Sequence, residues 1–585
     1  SLSGSILFWG GVLGIYVGGW TLAMGDRHRE YLPWALHVLL GISVFFALLV
    51  ASIANPFAPV FPVPLDGPGP NPLLQNHWLM SIHPPTLYLG YVGMAVPYAM
   101  ICAALLAGRL EAGWMDPLRR WAILPWTFLS AGIVLGGWWS YEVLGWGGAW
   151  AWDPVENASF HPWLTGTAFL HSAMVVQRRG WMRDWTLTLG MSTFLLTLVG
   201  TFMTRSGVFN SVHSFTQSDI GPVFLAFIAV VLTYSVALLA LRSHTLDDES
   251  ERMDAALGGR AVASKNAMQR IFSRETAILV QNALFTVFTF TVLLGTLYPL
   301  ITEAVEDRRV SVGEPYFDRW ALPLGLLIVF MMGVGPALPW GGLKHGDAPR
   351  RFAPGAVAGL VLALIFGGLG FTKPWTLVAM WVAGFALWTS LVELAEPVRI
   401  RMRAHGEAFG RALGGLLKAR RRTGAHIAHL GIILALVSLA LSKGYRVEQD
   451  LAMQRGETAV VHGFPVRFTG AAEVKEDHRT SRRATFALGK DGGLGTYEPR
   501  MNFYPANREP VFTPAVHVRP EGDLYFSLIE MTPDGNEVVV RIIWQPGQMW
   551  LWLVGPMIAI GSWIAIWPTR RKAEARVPAG AAVAK

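Results

Sequence analysis

Five tryptophans fall within the fifteen residues from position 138 to position 152, in a stretch that contains no Lys or Arg. Glycines separate them, and Asp153 and Glu156 follow. Glycine lets a backbone approach a flat ligand closely, and tryptophan offers large rigid faces for stacking. This pattern predicts a platform for a large planar apolar ligand, whereas the alternative is an aromatic belt that only anchors helix ends at the membrane surface. The residues assigned to the platform are Trp138, Trp139, Trp146, Gly147, Gly148, Trp150 and Trp152.

Four of the fifteen histidines, His37, His171, His426 and His429, lie inside apolar stretches, where ionisable residues are rare and usually functional. At 1.5 Å per residue, His171 and His429 lie about 9 Å and about 6 Å inside the charged ends of their stretches. Two neutral imidazoles at matching depth predict a pair of axial ligands for one haem iron. For His37 we expect an interhelical hydrogen bond, and His426 lies one turn closer to the membrane surface.

Two further histidines flank apolar stretches on the same side as the tryptophans. His83 precedes Pro84 and Pro85, which suit the first turn of a helix, so we expect His83 at the mouth of the third span. His213 follows the sixth span. The two histidines form a second candidate axial pair, with the tryptophan platform between them, which spacing alone does not establish.

The elements that hold these residues are membrane spans. Of the 585 residues, 52% are hydrophobic and only 15% are charged, and the mean hydropathy is +0.38; soluble proteins carry about 25% charged residues. This composition excludes a soluble globular enzyme, a disordered chain and the usual kind of nucleic-acid binder. The formal charge of +8 is therefore attributed to membrane topology. The single cysteine, Cys102, excludes a disulfide framework, a Cys-rich metal site and a redox thiol pair.

Thirteen stretches approach the length of about 20 apolar residues that a spanning helix needs. They cover residues 3–24, 31–54, 83–107, 122–138, 161–176, 185–204, 220–241, 275–297, 320–339, 352–371, 374–396, 425–442 and 549–567. One alternate set of loops, with the C-terminal tail, holds 30 Lys and Arg residues, and the other set of short loops holds 5. Since basic loops stay in the cytoplasm, we expect a cytoplasmic C-terminus and an outward tryptophan segment.

The long segment 443–548 is predicted to be a small all-β domain outside the membrane, because short β-rich runs alternate with Gly, Pro, Asp and Asn. The remaining predicted parts are a transmembrane helical domain at 1–442 that carries the tryptophan loop at 136–160, a last helix at 549–567 and a cytoplasmic tail at 568–585. The chain starts at Ser1, without Met and directly in an apolar stretch, so we expect that further N-terminal sequence precedes it. The predicted β runs are 458–461, 465–469, 483–488, 515–518, 523–529 and 537–544.

The tryptophan segment resembles the signature WGxxWxWDPVEN of the haem-handling WWD proteins of cytochrome c maturation, which runs here from Trp146 to Asn157. The resemblance extends over almost the whole chain, through HPPTLYLGYVG, GTFMTRSGVFNSVHSF, SVGEPYFD and AHLG, and is closest to the haem lyase subunits of this family. Ala149 and Ala151 replace frequent bulky aromatics, which makes the stacking surface smaller. Members of the family usually have two more N-terminal spans.

The resemblance implies that His83 and His213 are the outer-face axial ligands of the haem being delivered. It also implies that His171 and His429 hold a permanent haem b within the membrane. We further expect Arg205 to pair with a propionate of the outer haem, because guanidinium matches a carboxylate well.

The implied activity is a haem lyase of the bacterial inner membrane, which adds the two thiols of a Cys-x-x-Cys-His segment of apocytochrome c across the haem vinyl groups. The inner haem b would relay electrons, with quinol as a candidate reductant. The implied partners are apocytochrome c, a haem chaperone, a thiol-handling maturation subunit and membrane lipid, with no nucleic acid. The residues expected to present the haem for reaction are Trp146, Trp150, Trp152 and Asp153.

Two other functions stay open from the sequence: a haem exporter that makes no bonds, and a b-type electron-transfer subunit. The predicted outer haem site and β domain favour a docking surface over a pore. Co-expression with an apocytochrome reporter, scored by covalent haem staining, separates the three functions.

Overall fold

The computed structural model describes residues 2–25, 28–65, 67, 74, 77–109, 114–206, 220–246, 271–308, 310–343, 345–505 and 510–567. These residues form a helical bundle and a β-sandwich that precedes the last helix. The helices are α1 (Leu2–Met24), α2 (Leu32–Ala51), α3 (Leu79–Gly93), α4 (Ala95–Ala107), α5 (Met115–Val143), α6 (Pro154–Arg179), α7 (Arg183–Arg205), α8 (Ile220–Arg242), α9 (Arg274–Glu306), α10 (Glu314–Ala337), α11 (Ala348–Gly368), α12 (Pro374–His405), α13 (Phe409–Ala412), α14 (Gly414–Lys418), α15 (Arg420–Ser442) and α16 (Val554–Ile566).

Within the described ranges, twelve helical segments are long and apolar enough to cross a membrane, which agrees with the predicted polytopic helical fold. The predicted span 161–176 lies in α6, which has 26 residues but a lower hydropathy and is not among these twelve. The polar side chains of α6, such as His161, Thr165 and Ser172, are buried between neighbouring helices. A helix surrounded by protein does not need an apolar surface all round, which accounts for the lower hydropathy of α6.

Two helix pairs determine where the functional side chains lie. Helices α6 and α9 run antiparallel and are tied at both ends, by the Arg179–Glu275 ion pair at 2.7 Å and by a 3.0 Å hydrogen bond from Asn157 Nδ2 to Thr296 Oγ1. Helices α15 and α16 approach closely at Gly424 and Gly561. The approach is so close that a Cβ on either glycine would overlap the carbonyl oxygen of the other. This backbone-to-backbone contact fixes α15 against the last helix.

The β-sandwich consists of two antiparallel sheets, one in the order β1-β10-β9-β8 and one in the order β2-β3-β4-β6-β7, with β5 paired to β4. Its core holds the fully buried rings of Phe468, Phe486 and Phe526. Each predicted β run overlaps a strand, but β1, β5, β6 and β7 were not predicted. The strands are β1 (Val447–Gln454), β2 (Thr458–Val461), β3 (Phe464–Lys475), β4 (Thr480–Leu488), β5 (Thr496–Tyr497), β6 (Arg500–Phe503), β7 (Val511–Thr513), β8 (Ala515–His517), β9 (Gly522–Met531) and β10 (Glu537–Pro546).

Candidate functional site

His171 on α6 and His429 on α15 face each other across the bundle. Their ring planes are 6° from parallel, and their ring centroids are 6.2 Å apart. A metal–nitrogen bond is about 2 Å long, and a ring nitrogen lies about 1.1 Å from the centre of its imidazole ring. Two imidazoles on opposite sides of one ion therefore have centres about 6.2 Å apart, which is twice the sum of these distances. The spacing of the two rings therefore fits a single iron between them.

Hydrogen bonding at this pair also fits metal ligation. His171 Nδ1 lies 2.8 Å from the carbonyl oxygen of Thr167, and an imidazole that donates from Nδ1 presents Nε2 as its basic nitrogen. His429 Nδ1 is buried and has no hydrogen-bond partner among the described residues. A buried polar atom of this kind is costly unless something satisfies it. In the described part of the chain, no group of three or more His, Cys, Asp or Glu side chains could hold a metal ion. The two imidazoles are compatible with the predicted haem, and their assignment as its ligands stays a prediction.

The other two intramembrane histidines, His426 and His37, have different surroundings. The His426 ring is at right angles to that of His429, with centroids 5.3 Å apart, and His426 Nε2 is 3.8 Å from the carboxylate of Glu393. Glu393 also pairs with Arg422 at 2.8 Å. His37 is exposed on α2. The expected interhelical hydrogen bond of His37 is therefore absent among the described residues, because its side chain points away from the packed face of the helix.

The tryptophan segment, residues 138–152, leads from α5 into α6, and a capping box fixes its end. Asp153 Oδ1 accepts a hydrogen bond from the Val155 amide at 2.8 Å. Glu156 Oε2 accepts hydrogen bonds from the amides of Ala151 at 2.8 Å and of Asp153 at 3.1 Å. The structure thus gives Asp153 and Glu156 a capping role, and their assignment to ligand binding stays a prediction.

We expect Asp153→Asn to keep near-parental stability, because asparagine caps helices about as well as aspartate. Asp153→Ala should lower the free energy of unfolding by about 0.5–2 kcal/mol. Thermal unfolding of the purified protein in detergent, beside membrane protein levels, measures both effects. If Asp153→Asn accumulated normally yet lost activity as completely as Asp153→Ala, the carboxylate would have a role beyond capping.

Two side chains of the β-sandwich hold the backbone of the tryptophan segment. Arg446 Nη2 donates to the carbonyl oxygen of Trp146 at 2.9 Å, and Gln545 Nε2 donates to the carbonyl oxygen of Gly147. Gly147 has a φ of +72°, and a Cβ at this position would overlap Ile543 of strand β10. The backbone conformation favours glycine here, and a Cβ would in addition force the end of the Ile543 side chain to move.

The three tryptophans of the signature are half-buried. Trp146 Nε1 donates to Ser140 Oγ at 3.2 Å, and the ring of Trp146 covers Gly148, where a Cβ would overlap it. The rings of Trp150 and Trp152 are perpendicular, with centroids 5.9 Å apart. The three rings are thus partly open, and their role as a stacking surface stays a prediction.

Trp138 and Trp139 lie in the last two turns of α5. Trp138 donates to Glu142 Oε1 at 2.6 Å and stacks on Trp552, with ring planes 11° apart. Trp139 is only 3% exposed and packs against Leu79. Its side chain fills the core between α3 and α5, and its assignment to the platform stays a prediction.

His83 lies in the second turn of α3 and not at its mouth as predicted, because the helix already begins at the buried Leu79. His83 Nδ1 is 2.9 Å from the carbonyl oxygen of Gly132, and a Cβ on Gly136 would lie 2.6 Å from His83 Cε1. The next residue of α5, Gly137, approaches the carbonyl of Ala149 in the tryptophan segment, which a Cβ would meet at 3.0 Å. These small residues of α5 therefore bring His83 next to the tryptophan segment.

Arg205 is the last residue of α7, and its Nη2 donates to the Tyr88 hydroxyl at 2.8 Å. Tyr88 lies five residues after His83 on the same helix, α3. Arg205 is therefore near the His83 side of the bundle. His213 belongs to residues 207–219, outside the described residues, so its pairing with His83 stays a prediction.

The β-sandwich and the bundle also meet at a fully buried carboxyl group. Asp523 accepts hydrogen bonds from the Tyr141 hydroxyl at 3.2 Å and from the Arg519 amide at 3.4 Å. Burial raises the pKa of Asp523 to about 7, and the nearby Glu142 adds to this rise, while the two hydrogen bonds oppose it. The carboxyl group is thus partly protonated near neutral pH, which lowers the cost of burying it.

Sequence reasoning missed four side chains that support the tryptophan segment: Phe317, Asp318, Arg446 and Gln545. Phe317 and Asp318 lie in the SVGEPYFD run, which was noted only as part of the resemblance. Arg446 and Gln545 lie 300 and 398 residues along the chain from the groups that they bind. No local pattern signals contacts of that length.

The fold and the site define a polytopic membrane protein of the cytochrome c assembly class. Residues 1–209 match the family described as cytochrome C assembly protein, and residues 444–546 match the CcmF C-terminal beta-sandwich. The chain belongs to the CcmF family.

Its relatives align over nearly its full length. The chain is 35% identical to the cytochrome c-type biogenesis protein CcmF of Pseudomonas aeruginosa, over 98% of this chain and 84% of that protein. It is 34% identical to the protein of the same name from Escherichia coli, over 97% of this chain and 83% of that protein. A solved structure named cytochrome c heme lyase CcmF matches with a TM-score of 0.77 at 32% identity, over 97% of this chain and 83% of that one.

Proposed function

We propose that this protein is a cytochrome c haem lyase, which adds the two thiols of a Cys-x-x-Cys-His segment of apocytochrome c across the two vinyl groups of haem, forming two thioethers. The observation that carries haem handling is the parallel imidazole pair, His171 and His429, with centroids 6.2 Å apart. The only cysteine, Cys102, is fully buried. The thiols therefore come from the partner polypeptide.

His171 and His429 would together hold a resident haem b. When bound, this group supplies one-electron chemistry, with quinol as the proposed reductant. The chain contributes the orientation of the ligands, since the 2.8 Å contact of His171 Nδ1 with the Thr167 carbonyl oxygen fixes which ring nitrogen faces the iron. The contact between Gly424 and Gly561 fixes the helix that carries His429.

The outer site would bind the substrate haem. His83 and His213 are the proposed iron ligands, Trp146, Trp150 and Trp152 the stacking surface, and Arg205 the partner of a propionate. The approach of Gly136 to His83, and of Gly137 to Ala149, supports this arrangement, because it places an imidazole beside the aromatic surface. The bound haem would be oriented with its vinyl edge toward the incoming peptide.

The proposed setting is the bacterial inner membrane, with the C-terminal tail (568–585) in the cytoplasm and the β domain (443–548) outside. The excess of Lys and Arg in one set of loops supports this orientation. The proposed partners are apocytochrome c, a haem chaperone of the maturation system and a thiol-handling subunit of the CcmH type.

The function is tested by expressing the chain with an apocytochrome c reporter, in a bacterial strain that retains the other maturation components but lacks its own haem lyase. We expect haem that stays bound to the reporter in a denaturing gel. A haem exporter would instead raise haem outside the membrane without covalent staining. A b-type electron-transfer subunit would show its absorbance without labelling the reporter.

Trp146→Ala, Trp150→Ala and Trp152→Ala should each weaken retention of the outer haem by roughly 5- to 150-fold, because aromatic stacking contributes on the order of 1–3 kcal/mol. Haem-stained reporter and membrane protein level should be measured side by side. Phe at the same positions should restore much of the activity, because it keeps an aromatic face. If all three alanine variants reached normal membrane protein levels and matured the reporter at the parental rate, the tryptophan segment would be only an aromatic belt.

A further inference from the structure

We infer that Asp318, at the start of α10, is a positioning residue for haem attachment, which fixes the indole of Trp152 through a hydrogen bond from Trp152 Nε1 to Asp318 Oδ1. This bond is 2.8 Å long and joins positions 166 residues apart in the chain. The inference rests on the proposed role of Trp152 in the haem platform. It gives a function to the SVGEPYFD run, which contains Asp318.

Trp152 needs such support because its backbone is in the left-handed region, with a φ of +57°. This conformation is unfavourable for a bulky residue and persists only where the surroundings enforce it. The carbonyl oxygen of Trp152 accepts a hydrogen bond from Asn157 Nδ2 at 3.0 Å, and Asn157 is itself fully buried. The backbone of Trp152 is thus held from α6, and its ring is held separately from α10.

Helix α10 contacts the ring of Trp152 at two places. The ring of Phe317 lies nearly parallel to the indole, with planes 12° apart and centroids 5.3 Å apart, and Phe317 is 3% exposed. Asp318, the next residue, accepts the indole N–H. A stacked neighbour alone lets the indole slide in its own plane, whereas a directional hydrogen bond at Nε1 removes that freedom. Phe317 therefore supports one face of the indole, and Asp318 sets its position within the plane.

The competing role for Asp318 is a surface ion pair. Lys443 Nζ lies 3.4 Å from the same oxygen, Oδ1, and the two side chains are 47% and 46% exposed. Such an exposed pair contributes little. A carboxylate that accepts an N–H at 2.8 Å forms the stronger, directional contact. We therefore attribute the placement of Asp318 to Trp152.

The test compares Asp318→Ala with Asp318→Asn in the reporter assay, normalised to membrane protein level. Because Asp318 is half exposed and water can partly replace it, we expect Asp318→Ala to lower covalent haem attachment about 3- to 10-fold. Asp318→Asn should restore most of it, since the amide oxygen still accepts the indole N–H. Glu314→Ala, an exposed change in the first turn of the same helix, is the matched control and should leave attachment unchanged.

A double-mutant cycle separates positioning from a general effect on folding. Phenylalanine lacks the indole N–H, so Asp318→Ala should have no further effect in a Trp152→Phe background. An equal loss in both backgrounds would overturn the inference, and so would failure of Asp318→Asn to rescue attachment. If Trp152→Ala itself matured the reporter normally, the proposed platform would fail. If Trp152→Ala impaired attachment and Asp318→Ala did not, only the positioning inference would fail.

Discussion

Replacement of His171 or His429 by alanine is expected to remove the b-type absorbance from the purified protein. The two rings lie parallel with centroids 6.2 Å apart, and His171 and His429 would together hold the iron of the proposed haem. Losing one ligand removes a direct bond to the metal, and changes to outer partners alone already cost about 10- to 100-fold in metal affinity. We therefore expect haem affinity to fall by at least about 100-fold. An optical spectrum and a haem-to-protein ratio of detergent-purified protein measure the effect.

His426→Ala and His37→Ala are the controls for this experiment, and both should keep the spectrum. His426 is the more stringent control, because it is buried one helical turn from His429 and the centroids of the two rings are 5.3 Å apart. Loss of the spectrum in His426→Ala, together with its retention in His429→Ala, would show that the ligand was assigned to the wrong histidine.

His83→Ala and His213→Ala should each abolish maturation of the reporter and leave the inner haem spectrum intact. Asp153 and His171 mark the two ends of the functional part of α6, and 18 residues of helix place them about 27 Å apart. A change beside the tryptophan segment therefore does not reach the inner pair. Covalent haem staining is expected to fall at least tenfold, by the same ligand argument as for the inner site.

The inner haem absorbance of the same preparations is the internal control for folding. If His83→Ala or His213→Ala lost both the staining and the b-type spectrum, these histidines would support the fold and would not specifically hold the substrate haem. His37 is exposed on α2, so His37→Ala should change neither the covalent haem staining nor the b-type spectrum.

The helices and the inner pair followed from the sequence because their signals are local. The length of each apolar stretch defines a span. The depth of each histidine follows from the number of residues between it and the charged end of its own helix. The error at His83 has the same origin, since Pro84 and Pro85 mark a helix start only by preference. The buried Leu79 extends α3 by one turn beyond that point, through packing that the sequence does not display.

The support of the tryptophan segment could not be predicted in this way. Its residue types predict a flat aromatic surface, but they do not show which tryptophans are exposed. Trp139 has the same side chain as Trp146 and lies in the core. Which tryptophan is open depends on α3, α10 and the β-sandwich, whose contacts with the segment come from distant parts of the chain. Strand β1 was also missed, because VEQDLAMQ is mostly exposed and carries two acidic residues.

The hydrogen bonds from Arg446 and Gln545 to the tryptophan segment have a consequence for biosynthesis. Gln545 leaves the ribosome 398 residues after Gly147, which at about 5–20 residues per second corresponds to roughly 20–80 s. The nascent segment lacks both donors until Arg446 is made, and it lacks Gln545 for the whole interval. Helix α16, which packs against the helix that carries His429, is made later still. Chains that end before this point therefore lack the hydrogen bond from Gln545 to Gly147 and the helix that packs on α15. We therefore expect the synthesis of the C-terminal end, rather than the insertion of the first spans, to determine when the proposed haem sites are completed.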